Sequence, residues 1–228
     1  MSRSIKIAII GDYNFTYNSH HATNLAIDHA SHFLEIEISY YWIKLQEASQ
    51  MSTNQLKIYD GIWVAPGPYK NDFFLGGIID FLIQQPQPIF ITGDGYKTLI
   101  DVLIARNNLN LKGEKLISDN LVEGQQFEEI NIVPNSKELI QLYTNHNTQE
   151  LTSSRYSLYP KVLSYLVDEF INIEAYNEFE EVEVVSLSNR NFYLACGFSP
   201  QISSTREIPH PLIYTFIKAC MLQKGITF

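Results

Sequence analysis

The chain has 228 residues, 45% of them hydrophobic, and a formal net charge of −9 from 16 Lys and Arg against 25 Asp and Glu. This apolar content suffices for one large core, so a single domain over residues 1–228 is expected. The acidic balance, with no basic block to release phosphate counterions, excludes a nucleic-acid partner, and no run approaches the roughly 20 apolar residues of a membrane span.

The N-terminus, "MSRSIKIAII", enters an apolar strand directly and shows no secretory cleavage region, so a cytoplasmic location is expected. That first strand, "IKIAIIGDYN", reads as buried and leaves through Gly11-Asp12. Ser19 is placed to cap a helix whose Ala22, Leu25, Ala26, His29 and Phe33 share one face. His20, His21, His29 and His32 fall in the same stretch, but adjacent histidines point to different faces and predict no metal site. "IEISYYWI" and "DGIWVAPG" are the second and third strands, the latter ending in Pro66-Gly67-Pro68. "FFLGGIIDFLIQQ" is helical, with Phe74, Ile78, Phe81 and Leu82 on one side. Its internal Gly76-Gly77 pair costs about 1 kcal/mol per residue, which predicts close packing there. "PIFIT" is the fourth strand and meets a Gly93-Asp94-Gly95 corner, after which Leu99, Val102, Leu103 and Arg106 recur at helical spacing.

Residues 108–160 hold much Asn, Ser and Gln and predict short strands and loops. "EFEEVEVVSL" and "NFYLACGFSPQ" read as paired strands, and "HPLIYTFIKACMLQ" as a closing amphipathic helix. Glu178, Glu180, Glu181 and Glu183 are expected on a solvated strand edge. Cys196 and Cys220 lie in apolar segments, as buried thiols rather than a disulfide framework. No repeat, low-complexity tract or linker divides the chain. The alternation of strands and helices predicts an α/β three-layer sandwich around a central, mostly parallel sheet. Ligands in such folds gather at the carboxyl ends of the strands, here the loops 11–18, 66–71 and 92–97.

Five stretches then occur in a familiar order: "KIAIIGDYN", "YDGIWVAPGPY", the strand–turn–helix ending "ARN", "SSRYSLYP", and "FSPQISSTREIPHPLIYTFIKA". Through them the chain resembles the class I glutamine amidotransferase-like family, above all the C-terminal glutaminase domain of CTP synthase and its stand-alone relatives. The resemblance implies a flavodoxin-like fold and glutamine hydrolysis by a Cys–His–Glu triad. The family's cysteine sits in G-x-C-x-G, a sharp turn that exposes the thiol at a helix N-terminus where thiolate is stabilised. Here the turn reads Thr92-Gly93-Asp94-Gly95. Matching the last glycine puts Gly93 at the cysteine position, whereas matching "ARN" without a gap puts Asp94 there. The family's H-P-E reads Ser199-Pro200-Gln201. Serine is no proton shuttle near neutral pH, and glutamine cannot stabilise an imidazolium as a carboxylate does. Glutaminase chemistry is therefore expected to be absent, with Gly93, Ser199 and Gln201 as degenerate positions; no cofactor or metal is implied.

Several residues could still serve a ligand. Asp94 reads either as a helix N-cap or as a ligand-binding or nucleophilic carboxylate, with a pKa that the helix N-terminus would lower. Gly93 and Gly95 let backbone approach closely, and Lys97 is either a partner for Asp94 or solvated. The Pro66–Lys70 stretch resembles the family's oxyanion loop; since Pro68 has no N–H, the donor would be Gly67 or Tyr69. Arg155-Tyr156 matches an Arg-Tyr pair near the family's glutamine site, so Arg155 would bind a carboxylate or form a surface ion pair. The leading expectation is a non-catalytic protein with a binding pocket at the strand ends. The alternatives are an enzyme using Asp94 as nucleophile or base on an amide or amino-acid-like substrate, and an accessory subunit of a separate synthetase, since no G-x-x-x-x-G-K-[ST] sequence is present. A small-molecule ligand, a protein partner and a homo-oligomer all remain open.

Overall fold

A computed structural model describes residues 3–110, 112–122, 127–167 and 169–227. In chain order its elements are β1 (Ser4–Ile10), α1 (Asn18–Phe33), β2 (Glu37–Ile43), α2 (Leu45–Ala48), α3 (Thr53–Leu56), β3 (Gly61–Val64), α4 (Asp72–Leu82), β4 (Ile89–Thr92) and α5 (Asp94–Arg106). They continue with β5 (Glu128–Pro134), α6 (Lys137–Tyr143), β6 (Gln149–Thr152), α7 (Pro160–Leu166), β7 (Ile171–Asn177), β8 (Val182–Leu187), β9 (Tyr193–Cys196), α8 (Pro200–Ser203) and α9 (Pro211–Gln223).

The strands form one sheet in the order β2-β1-β3-β4-β9-β8-β7-β5-β6. The half from β2 to β9 is parallel, and every pairing beyond β9 is antiparallel. The reason lies in the sequence. β1, β3 and β4 are short runs of Ile, Val, Trp and Phe that are apolar on both faces, the pattern of strands covered from two sides. Ile62, Val64, Ile89 and Ile91 face a core closed by α4, α5 and α7. Trp63 and Phe90 face a second core closed by α1 and α9. The result is the three-layer α/β sandwich that the alternation predicts.

Three local expectations are corrected. Helix α1 begins at Asn18 without a side-chain cap, and Ser19 lies inside it. Its buried face is Ser19, His20, Thr23, Ala26, Ile27 and Ala30, while Leu25 and Phe33 are exposed. Small residues on the inner face let the helix approach the sheet closely, and that need outweighs the size of the apolar side chains. In α4 a Cβ added at Gly76 or Gly77 would meet nothing within 4 Å, so close packing is not the reason for the pair. Finally, β8 is no solvated edge; it lies between β7 and β9, and Glu183 points inward and is buried.

Candidate functional site

The carboxyl ends of β3, β4 and β9 meet at Gly93, which joins β4 to α5. Gly93 has φ +62° and ψ −132°, a backbone state that side-chain-bearing residues rarely adopt. Its N–H lies 3.0 Å from the Cys196 carbonyl and 3.2 Å from that of Phe198, which ties the turn to β9. A Cβ here would sit 3.1 Å from Pro66 Cβ and 3.7 Å from Gly67 N, so the space above the turn is crowded by the β3–α4 loop. Two residues on, a Cβ at Gly95 would lie 2.7 Å from Ile91 Cγ2 and 3.0 Å from the Tyr69 hydroxyl. Glycine is what lets α5 start this close to β4. The Tyr69 side chain is folded beneath α5, where its hydroxyl donates to the Ala65 carbonyl.

Asp94 is the first residue of α5, not its N-cap, which is Gly93. Its carboxylate lies directly over Gly67 and accepts a hydrogen bond from Ser154 Oγ. Burial pushes the Asp94 carboxyl up; hydrogen bonds from Ser154 and Tyr156 and the Lys97 charge oppose the rise. The expected lowering is thus overturned, because removal from water outweighs these hydrogen bonds and the Lys97 charge. On its open side Asp94 borders a cleft of about 370 Å³, with Asp72, Lys97, Thr98, Asp101 and Tyr156. Lys97 pairs with Asp101 at 3.2 Å rather than with Asp94, and lies 5.6 Å from the centre of the Tyr156 ring. Arg155 turns away from the cleft. Its guanidinium is 3.3 Å from Glu128 and 3.2 Å from Glu181, and stacks over Phe179 at 5.1 Å. Of the two readings for Arg155, the ion pair is the arrangement observed.

Ser199 and Gln201 follow β9 on the other side of the turn. Both are buried, and Ser199 Oγ and both polar atoms of the Gln201 carboxamide have no hydrogen-bond partner among the described residues. Neither thiol stands at the turn exposed. Cys196 and Cys220 are fully buried, and burial pushes both thiols well above their ordinary range. Behind β9, burial pushes the Glu183 carboxyl up to about 8, against a hydrogen bond from Asn177 Nδ2 at 2.9 Å.

Two contributors are missed by sequence reasoning. Ser154 reaches Asp94 because β6 runs beside the end of β9: Ser199 N–H donates to the Leu151 carbonyl at 2.9 Å, and Thr152 Oγ1 to that of Gly197 at 3.0 Å. The signal was the "SSRYSLYP" stretch, whose second serine precedes Arg155. His20 clamps two loops, donating through Nε2 to the Pro66 carbonyl at 3.1 Å and accepting Asn14 N–H at Nδ1, also 3.1 Å. Burial lowers its pKa, which keeps the acceptor nitrogen free of a proton. The four histidines of α1 do not converge; His20 is buried with the loops, and His32 approaches Arg206 at 3.2 Å.

A glycine turn between a parallel strand and a helix, opening on a cleft at the strand carboxyl ends, is the usual place of a ligand site in an α/β protein. No protein-family profile matches the chain. It is 25% identical to the CTP synthases of Sulfolobus acidocaldarius and Sulfurisphaera tokodaii, over 95% of its own length in each case. It spans about half of these curated relatives, 45% of each. In fold it is similar to the glutaminase domain of Trypanosoma brucei CTP synthase, solved with bound acivicin. That likeness has a TM-score of 0.77 and 18% identity, covering 98% of this chain and 95% of that one. In sequence the chain is similar to CTP synthases, and it has the α/β fold of their glutaminase domain.

Proposed function

We propose that this protein is a catalytically silent glutamine amidotransferase-like protein that uses the cleft beside its Gly93 turn to bind a small molecule. The observation that carries this reading is the turn itself. Gly93 holds the strained position at the junction of β4 and α5 and has no side chain, and the space a side chain would enter is crowded by Pro66. A nucleophile there would need exposure, an imidazole and a carboxylate. Ser199 and Gln201 supply neither partner, and their orphaned polar atoms fit positions whose chemistry has lapsed. The neighbouring cleft bears three carboxylates, Asp72, Asp94 and Asp101, against one ammonium, Lys97. That balance favours a ligand carrying a positive charge.

The test is ammonia release from L-glutamine by purified protein, beside a heat-denatured blank. No turnover is expected, and none from Gly93→Cys, because the thiol would lack both an imidazole and space. Turnover by the unaltered chain above the blank overturns the reading. Binding is checked by thermal shift with a panel of small amines and matched carboxylates: amines should raise the melting temperature, and less so in Asp101→Asn.

One observation favours a second reading, an enzyme in which Asp94 acts as base or nucleophile on an amide or amino-acid-like substrate. Its carboxylate bonds a side chain, Ser154, instead of the amides of α5, and it borders the cleft. The raised pKa suits a proton acceptor better than an anionic nucleophile. Hydrolysis of an amide in a panel of amino-acid amides, lost in Asp94→Asn, would establish it.

A further inference from the structure

Outside the cleft, the loop after α6, strand β6 and the entrance to α9 bring together His146, Glu150 and His210. We propose that these three residues form a binding site for a divalent cation of the zinc class. One ligand-type atom from each lies within 4.8 Å of the other two. The donor set is two imidazoles and a carboxylate without thiolate. That set suits zinc and its borderline neighbours, and it leaves a fourth position for water.

Each ligand is held by further contacts. His146 Nδ1 is 2.9 Å from the Asn147 carbonyl and donates to it. That bond fixes the tautomer with the lone pair on Nε2, which has no hydrogen-bond partner among the described residues. The imidazoles of His146 and His210 are 4.9 Å apart and inclined at 69°, so they are not stacked face to face. Glu150 is fully buried; Ser203 Oγ donates to its Oε2 at 2.9 Å and the Tyr143 hydroxyl to its Oε1 at 3.2 Å. His146 is half-buried and forms the mouth of the group, an entry path that the other two ligands lack.

His210 sets the cost of binding. Its Nδ1 accepts Leu212 N–H at 3.2 Å, so its proton sits on Nε2 and points to Glu150 Oε1 at 2.6 Å. A cation takes the place of that proton, which moves to Nδ1 of the same ring. No net proton is released, and the Leu212 hydrogen bond that starts α9 is given up. The site therefore couples cation binding to the end of a helix, a link that an adventitious surface histidine does not have.

The test uses the full chain after chelator treatment, titrated with Zn²⁺ by calorimetry and with Co²⁺ by visible absorption. One equivalent is expected, with a four-coordinate Co²⁺ spectrum. His146→Ala, at the half-exposed position and so compatible with folding, should weaken zinc binding by at least about tenfold. Glu150→Gln keeps the shape and should weaken it likewise. Hydrogen exchange at Leu212 N–H should quicken when zinc is added. Absence of binding by the unaltered chain overturns the proposal. So does equal affinity in His146→Ala, which would assign the ion to surface histidines, and so does unchanged exchange at Leu212 in the zinc-loaded protein.

Discussion

Two groups of buried polar side chains lie near the end of β9. In one, Glu150 receives three donors, His210 at 2.6 Å, Ser203 at 2.9 Å and Tyr143 at 3.2 Å. In the other, Ser199 Oγ and both polar atoms of Gln201 are buried with no partner among the described residues. An unpaired buried polar group costs roughly 1–3 kcal/mol, so folding alone does not account for the second group. Folding does account for the first, where three donors converge on the carboxylate and leave one lone pair of Oε2 open. On the function proposed above, the contrast separates side chains that hold the fold from side chains that belong to a binding site. It is at sites of present or past function that local rules are broken.

The strongest way to break this comparison is to remove one partner on the satisfied side. His210→Ala leaves the Glu150 carboxylate buried without its nearest donor and should cost about 3–5 kcal/mol, read from urea unfolding. A loss under about 1 kcal/mol would mean that the network is ornamental. Glu183 is the intermediate case, a buried carboxyl with one donor, Asn177. Its pKa is raised from 4.5 to about 8, chiefly by burial, so the folded state holds a proton that the unfolded chain releases. The contribution of the neutral carboxyl is full below about 4.5 and is lost as the pH rises toward about 8. Glu183→Gln should flatten the fall in stability between these limits, measured by unfolding at a series of pH values.

Gln201→Met sharpens the comparison from the orphaned side. It keeps the volume and removes two unpaired polar atoms, and should raise stability by about 1 kcal/mol. If the carboxamide instead serves a bound molecule, the substitution will lower stability in the presence of that molecule. The same measurement therefore also probes the binding reading.

The parallel half was legible because its strands are read from composition alone. "KIAII", "GIWV" and "IFIT" are apolar on both faces, and no other element type fits such short buried runs between turn residues. Helix α1 was misread because its inner face is set by close approach to the sheet, which selects Ala26 and Ala30 over Leu25 and Phe33. The turn at 93–95 announced itself through its glycines. Its surroundings did not. Ser154 and His20 arrive through strand pairing and loop packing across 60 and 46 residues of chain, a separation that no local pattern encodes. The His146–Glu150–His210 group was invisible for the same reason, since its members lie up to 64 residues apart and β6 falls in a stretch read only as short strands and loops. Glu183 was misplaced because an acidic run looks solvated until β8 is known to be an interior strand.

The smallest expected effect concerns Gly76 and Gly77, adjacent in α4 and alike in having open space where a Cβ would go. An interior helical glycine costs about 0.5–1 kcal/mol relative to alanine, and here no tight contact offsets that cost. Gly77→Ala should therefore raise the melting temperature without touching the Asp94 cleft, because Gly77 borders a separate apolar groove with Phe73, Phe74 and Ile78. Gly76→Ala should give a similar gain in stability, but its methyl enters the cleft beside Asp94 and Tyr156. If the cleft binds a small molecule, Gly76→Ala alone should weaken that binding while both variants melt higher. Equal binding by the two variants would mean that the opening above α4 carries no selective value. The glycine at 76 would then be as free of purpose as its neighbour, and the cleft an accident of helix spacing.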